Sequence, residues 1–111
     1  MNTSYREDVK ALLDEILIGI PGVKASKAFG YPCYKVSGRI FCFVSGDAVQ
    51  LKLPASRVES LVAEGGPYHK FGPVEGTTWR EWVALEWQTP ADYEQAMDLF
   101  IESIEYVRGG S

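Results

Sequence analysis

The chain has 111 residues, 46% of them hydrophobic, and a formal net charge of −4. That length builds one domain with a real core and leaves no room for a second, and no apolar run approaches the roughly 18 residues that cross a bilayer. Two cysteines make no disulfide framework, and the opening Met1 to Asp8 is polar and acidic where a secretory leader is basic and then apolar, so a cytoplasmic protein without membrane contact is expected.

Ser4-x-x-Glu7 reads as a capping box, and Val9, Leu12, Leu13, Ile16, Leu17 and Ile20 recur at helical spacing until Pro21-Gly22 stops them. Residues 23–29 follow as a strand, closed by Gly30-Tyr31-Pro32, where proline offers no ladder donor. Residues 33–36, 39–44 and 48–53 are three further strands, joined by the two-residue reversals Ser37-Gly38 and Gly46-Asp47. Ser56-x-x-Glu59 is a second capping box, opening a helix of two or three turns that Gly65-Gly66-Pro67 ends. Residues 68–78 read as a loop and 79–87 as another strand. Thr89-Pro90 then supplies an N-cap and an N1 proline for one long helix carrying Tyr93, Ala96, Met97, Phe100, Ile101, Ile104 and Val107, before a Gly109-Gly110-Ser111 tail. The order predicts an α+β fold: a two-layer sandwich in which an antiparallel meander sheet has the N- and C-terminal helices packed on one face.

Two tight reversals make facing positions sum to a constant, so a register follows from the sequence. Cys33 is expected opposite Cys42, Tyr34 opposite Phe41, Cys42 opposite Leu51 and Phe43 opposite Gln50. One face then carries Cys33, Ile40, Cys42, Val44, Val49, Leu51 and Leu53, with Lys35 as its only charge, and is expected to be the core. The other carries Tyr34, Val36, Arg39, Phe41, Phe43, Gln50 and Lys52, too polar for a dry core and too aromatic for an idle surface.

The string from Phe29 through Gly30-Tyr31-Pro32-Cys33-Tyr34-Lys35 to Val36, with Arg39-Ile40-Phe41, Leu51-Lys52-Leu53-Pro54 and Trp79-Arg80-Glu81-Trp82-Val83, resembles the MmcQ/YjbR-like proteins. It is similar, more distantly, to the N-terminal domain of TfoX-type competence regulators. The resemblance runs from about Val9 to Val107 and implies a bacterial protein of CyaY-like α+β fold. A DNA-binding role has been suggested for that family, and no catalytic residue comes with it. The frataxin-type members of the wider fold bind iron through an acidic helix and strand edge. Here the first helix offers Glu7, Asp8, Asp14 and Glu15, and the strand region is basic, which speaks against iron.

Between positions 23 and 57 the basic residues Lys24, Lys27, Lys35, Arg39, Lys52 and Arg57 stand against Asp47 alone, whereas the last helix carries Asp92, Glu94, Asp98, Glu102 and Glu105 against Arg108. Basic sheet and acidic helix are segregated. Opposed Cys33 and Cys42 would lie within disulfide reach and form a possible redox pair, although on an apolar face a cysteine acts as a small hydrophobe. His69 is the only histidine and has no placed nucleophile; too few soft ligands exist for zinc, and the glycine pairs lack the context of a phosphate-binding loop. No catalytic residue, metal or cofactor is called for. Trp82 opposes Trp79 and Trp87 in strand parity, so at least one tryptophan is expected to leave the core, either to cover a sheet edge or pack under the Tyr68–Phe71 loop or, as Trp82, to join the aromatic face. Tyr34, Arg39, Phe41, Phe43, Lys52 and Trp82 are thus the candidate partner-binding residues. They suit a protein partner or homodimer, where aromatic and arginine side chains anchor contacts, and alternatively nucleic acid, where bases stack and cations hold phosphates.

Overall fold

The computed structural model describes residues 4–72 and 79–109. Met1 to Thr3, most of the expected 68–78 loop with its Gly76, and the tail's Gly110 and Ser111 lie outside the described residues. Along the chain run α1 (Glu7–Leu17), β1 (Val23–Ala28), β2 (Tyr31–Val36), β3 (Arg39–Ser45), β4 (Ala48–Lys52), α2 (Ala55–Glu64), β5 (Tyr68–Lys70), β6 (Trp82–Leu85), α3 (Pro90–Gln95) and α4 (Met97–Gly109). The strands form one antiparallel sheet in the order β1-β2-β3-β4-β6-β5. The α+β, helices-on-one-face architecture is as the element order predicts. Among the described residues no helix is long and apolar enough to cross a membrane.

Both two-residue reversals are present. Val36 faces Arg39 across Ser37-Gly38, and Ser45 faces Ala48 across Gly46-Asp47. A third joins Ala28 to Tyr31 through Phe29 and Gly30, so the first strand ends one residue early and the second begins two residues early. Ser37 and Gly38 have φ of 54° and 76°, the hand that suits the twist of a hairpin.

The expected register nevertheless fails across β2 and β3. Cys33 faces Phe43 and Tyr34 faces Cys42, while Lys35 still faces Ile40; the shift falls between Tyr34 and Lys35, leaving Phe41 as the extra residue of a bulge. A bulge of one residue changes which face every side chain beyond it occupies. Consequently Tyr34 and Val36 belong to the helix side with Cys42, Val44, Val49 and Leu51, and Cys33, Lys35 and Ile40 belong to the other. The slip buries Tyr34, Val36 and Phe41 in place of a lysine, which is the physical reason for it.

The helix layer packs on that side. Val9, Leu13 and Leu17 of α1, Val58 and Leu61 of α2, Tyr93 of α3 and Leu99, Phe100, Ile104 and Val107 of α4 join the buried sheet residues in one core cluster. Ser103 of α4 donates to the Phe41 carbonyl at 3.3 Å, and the Tyr34 hydroxyl donates to Asp14 of α1 at 2.7 Å. Burial works to raise the Asp14 carboxyl, but the bonds from Lys10 and Tyr34 outweigh it and hold the group below its ordinary value.

Three local expectations are corrected. Neither Ser4 nor Ser56 caps a helix: α1 starts after Arg6 and α2 after Pro54, with no side-chain cap at either. The Ser4 carbonyl instead accepts the Gly46 N–H at 2.9 Å and Tyr5 bridges Gly46, which ties this segment to the β3–β4 reversal and delays the helix. Arg6 anchors the same corner, donating to the carbonyls of Trp87 and Gln88 at 2.7 and 2.6 Å. The single C-terminal helix is two, broken at Ala96 (φ −93°, ψ 20°). The buried Tyr93 explains the break: its hydroxyl donates to the Leu85 carbonyl and accepts the Trp87 N–H, fixing α3 to the end of β6 while α4 runs over the sheet. Finally, the 79–87 strand shrinks to β6, and part of the expected loop is β5.

Candidate functional site

On the face away from the helices, cross-strand pairing lays out one continuous row: Ser26, Cys33, Phe43, Gln50, Ala84 and His69, one residue from each of the six strands. Beside it Lys52 faces Trp82, and further along Lys24 faces Lys35 and Lys35 faces Ile40. Among the described residues no helix lies across this side, although Val62 and Ala63 of α2 share a cleft with Trp79 and Trp82 at its margin.

Its centre is aromatic. Phe43, Phe71, Trp79 and Trp82 form a closed ring of contacts, with centroids 5.6 Å apart for Phe43–Phe71, 5.5 Å for Phe71–Trp79, 6.1 Å for Trp79–Trp82 and 5.3 Å for Trp82–Phe43. The edge and tilted arrangements are those the aromatic quadrupole favours, each worth about 0.5–1.5 kcal/mol beyond area burial. Backbone bonds position the two tryptophans: the Trp79 N–H donates to the Phe71 carbonyl at 2.7 Å and the Trp82 N–H to the Trp79 carbonyl at 3.1 Å. The Lys52 ammonium lies 5.9 Å from the Trp82 centroid, within cation–π range.

Between this cluster and the β1–β2 reversal lies a groove of 480 Å³, walled by Phe29, Tyr31, Ile40, Phe43, Phe71, Trp79 and Trp82, with Ser45 at its side and no charged residue in its described lining. Volume and lining fall in the range of pockets that take a small ligand or a partner's side chain. Phe29 stands at its rim, 87% exposed and at φ +55°. A non-glycine residue in the left-handed region costs roughly 1–2 kcal/mol, and this ring recovers almost none of that through burial. Below the surface Gln50 is 3% exposed; its Nε2 donates to Ser45 Oγ at 3.0 Å and its Oε1 has no bonded partner among the described residues.

The structure brings together three of the six sequence-predicted binding residues. Phe43, Lys52 and Trp82 share the open face. Tyr34 and Phe41, 1% and 0% exposed, do not: the bulge places both in the core, so neither is available to a partner. Arg39 is exposed at the tip of the β2–β3 hairpin, away from the groove. The redox pair is also dissolved, because Cys33 faces Phe43 on the open side and Cys42 faces Tyr34 on the core side. Both thiols are free and buried, and burial pushes both up from the ordinary cysteine value, Cys42 the further.

No family model, curated protein or solved structure matches the chain. Phe29, Tyr31, Ile40, Phe71 and Trp79 are the members that parity reasoning missed. Trp79 precedes β6 and escapes its alternation, reaching the same side as Trp82, while Trp87 follows β6 and packs against Tyr93 at 5.0 Å on the core side. For Phe29 a signal existed: an aromatic residue directly before glycine, at the first central position of a two-residue reversal, where asparagine or aspartate is the favoured choice.

Proposed function

We propose that the chain is a non-enzymatic binding module of the MmcQ/YjbR-like kind, acting in the cytoplasm, which recognises a protein partner through the aromatic groove on the open sheet face. Phe29 carries the reading. An exposed ring held in an unfavourable backbone conformation costs folding stability and recovers almost none of it from the described residues, so its value lies in what it touches outside the chain. Trp79, Trp82 and Phe43 supply a rigid aromatic floor of the sort that anchors protein contacts, and Lys52 sets one charged margin. The same face is less suited to nucleic acid. The groove's described lining holds no cation, and the cross-strand lysine pair at positions 24 and 35 lies on strands away from Trp82.

The test is capture from lysate on immobilised protein, with nuclease and salt as arms, comparing wild type with Phe29→Asn and Trp82→Ala. The reading expects a protein retained by wild type through nuclease treatment and through a rise in salt, and lost by Phe29→Asn although that variant folds. A captured species that nuclease removes, or that falls away steeply with salt, indicates phosphate contacts and overturns it.

A further inference from the structure

We infer that the free edge of β1 accepts an acidic, extended segment of a partner protein as a seventh strand. This surface is distinct from the aromatic groove, and the inference does not depend on it.

The two edges of the sheet are built differently. β5 spans three residues and α2 packs against it, which are ordinary ways of blunting an edge. β1 spans six residues, every one paired with β2 without a bulge, and it contains no proline. Among the described residues it pairs with no second strand. About half of the backbone donors and acceptors of such an edge point away from the sheet and can extend the ladder.

Charge selects the occupant. Lys24 and Lys27 are exposed and, three positions apart on a strand, project to opposite faces. Lys35 stands directly opposite Lys24, and like charges so placed repel. No aspartate or glutamate occurs from Val23 to Ser45, and none of these three lysines forms an ion pair among the described residues. A second copy pairing edge to edge would add lysines to lysines. A strand bearing two carboxylates three residues apart, one toward each face, meets Lys24 with Lys35 on one side and Lys27 on the other. Nucleic acid could meet the charges but has no amide ladder to add to the edge.

The probe is a labelled, roughly ten-residue peptide of alternating valine and threonine with two glutamates three apart, set beside the same peptide with lysine for glutamate. By fluorescence anisotropy the glutamate peptide binds wild type and the lysine peptide does not. Lys24→Glu combined with Lys27→Glu weakens the glutamate peptide by about tenfold, the yield of reversing two screened surface pairs, and gives the lysine peptide measurable affinity. Amide hydrogen exchange slows along β1 when the glutamate peptide is bound. The inference is overturned if both peptides bind alike, if the slowed amides lie outside β1, or if a single-stranded oligonucleotide binds with the same charge dependence while the peptide does not.

Discussion

Phe41 and Phe43 sit two residues apart on one strand, and simple alternation would give them the same surroundings. The bulge separates them. Phe41 is fully buried in the core cluster, beneath α4, whose Ser103 bonds its carbonyl. Phe43 is half-buried on the open face against Phe71 and Trp82. Phe41→Ala therefore removes a whole buried ring and leaves a cavity, a loss of about 3–5 kcal/mol, which is a large share of the roughly 5–15 kcal/mol that holds a domain folded. For a chain of this size that lowers Tm by roughly 10–25 °C. Phe43→Ala gives up partial burial and two aromatic contacts, about 1–2 kcal/mol, because the site is already partly solvated. Urea unfolding of both variants beside wild type measures the difference, with equal m values showing that the denatured states are comparable. Similar losses for the two would mean that both rings share one environment. The bulge, and with it the assignment of faces, would then be wrong.

Tyr34→Phe deletes the hydroxyl that donates to Asp14 and costs about 1 kcal/mol at neutral pH. The Asp14 carboxyl is held below its ordinary value, so its stabilising contribution is complete above the unfolded value near 3.8 and fades as pH falls through the lower folded value. Tyr34→Phe should therefore flatten the acid limb of a stability profile, and an unchanged slope there would contradict the bond. Phe29→Asn relieves left-handed strain with a residue that tolerates it and should raise stability by about 0.5–1 kcal/mol in thermal melting while abolishing partner capture; a loss of stability would show that the ring is packed. Neither thiol should react with a disulfide reagent until the protein unfolds, and oxidant should produce no intramolecular bridge on a non-reducing gel. Rapid modification of Cys33 in the folded protein would show that its neighbours on the open face do not cover it.

Much of the chain's local structure is written in its sequence because local physics decides it. Ser37-Gly38 and Gly46-Asp47 are reversals since few residue pairs accept the backbone they need, and Pro90 opens a helix because its fixed φ and missing N–H suit the first turn, although the Thr89 side chain makes no cap bond. Most segment types, the antiparallel pairing of the first four strands and the one-sided helix layer follow. The register within β2 and β3 does not, because a bulge is chosen by what lies above the sheet: α1 and α4 offer room for Tyr34, Val36 and Phe41 and none for Lys35. The lysine stranded on the expected apolar face was the visible mark of that slip. Helix starts behave likewise. Ser4 had the composition of a cap, yet its carbonyl was drawn to Gly46, and Ala96 had the composition of a helix interior, yet Tyr93 anchored the preceding turn to β6. The aromatic groove belongs with these. Phe29, Phe71, Trp79 and Trp82 come from separate parts of the chain, and only the packed sheet brings their rings to one place, since no short-range rule relates residues that distant in sequence.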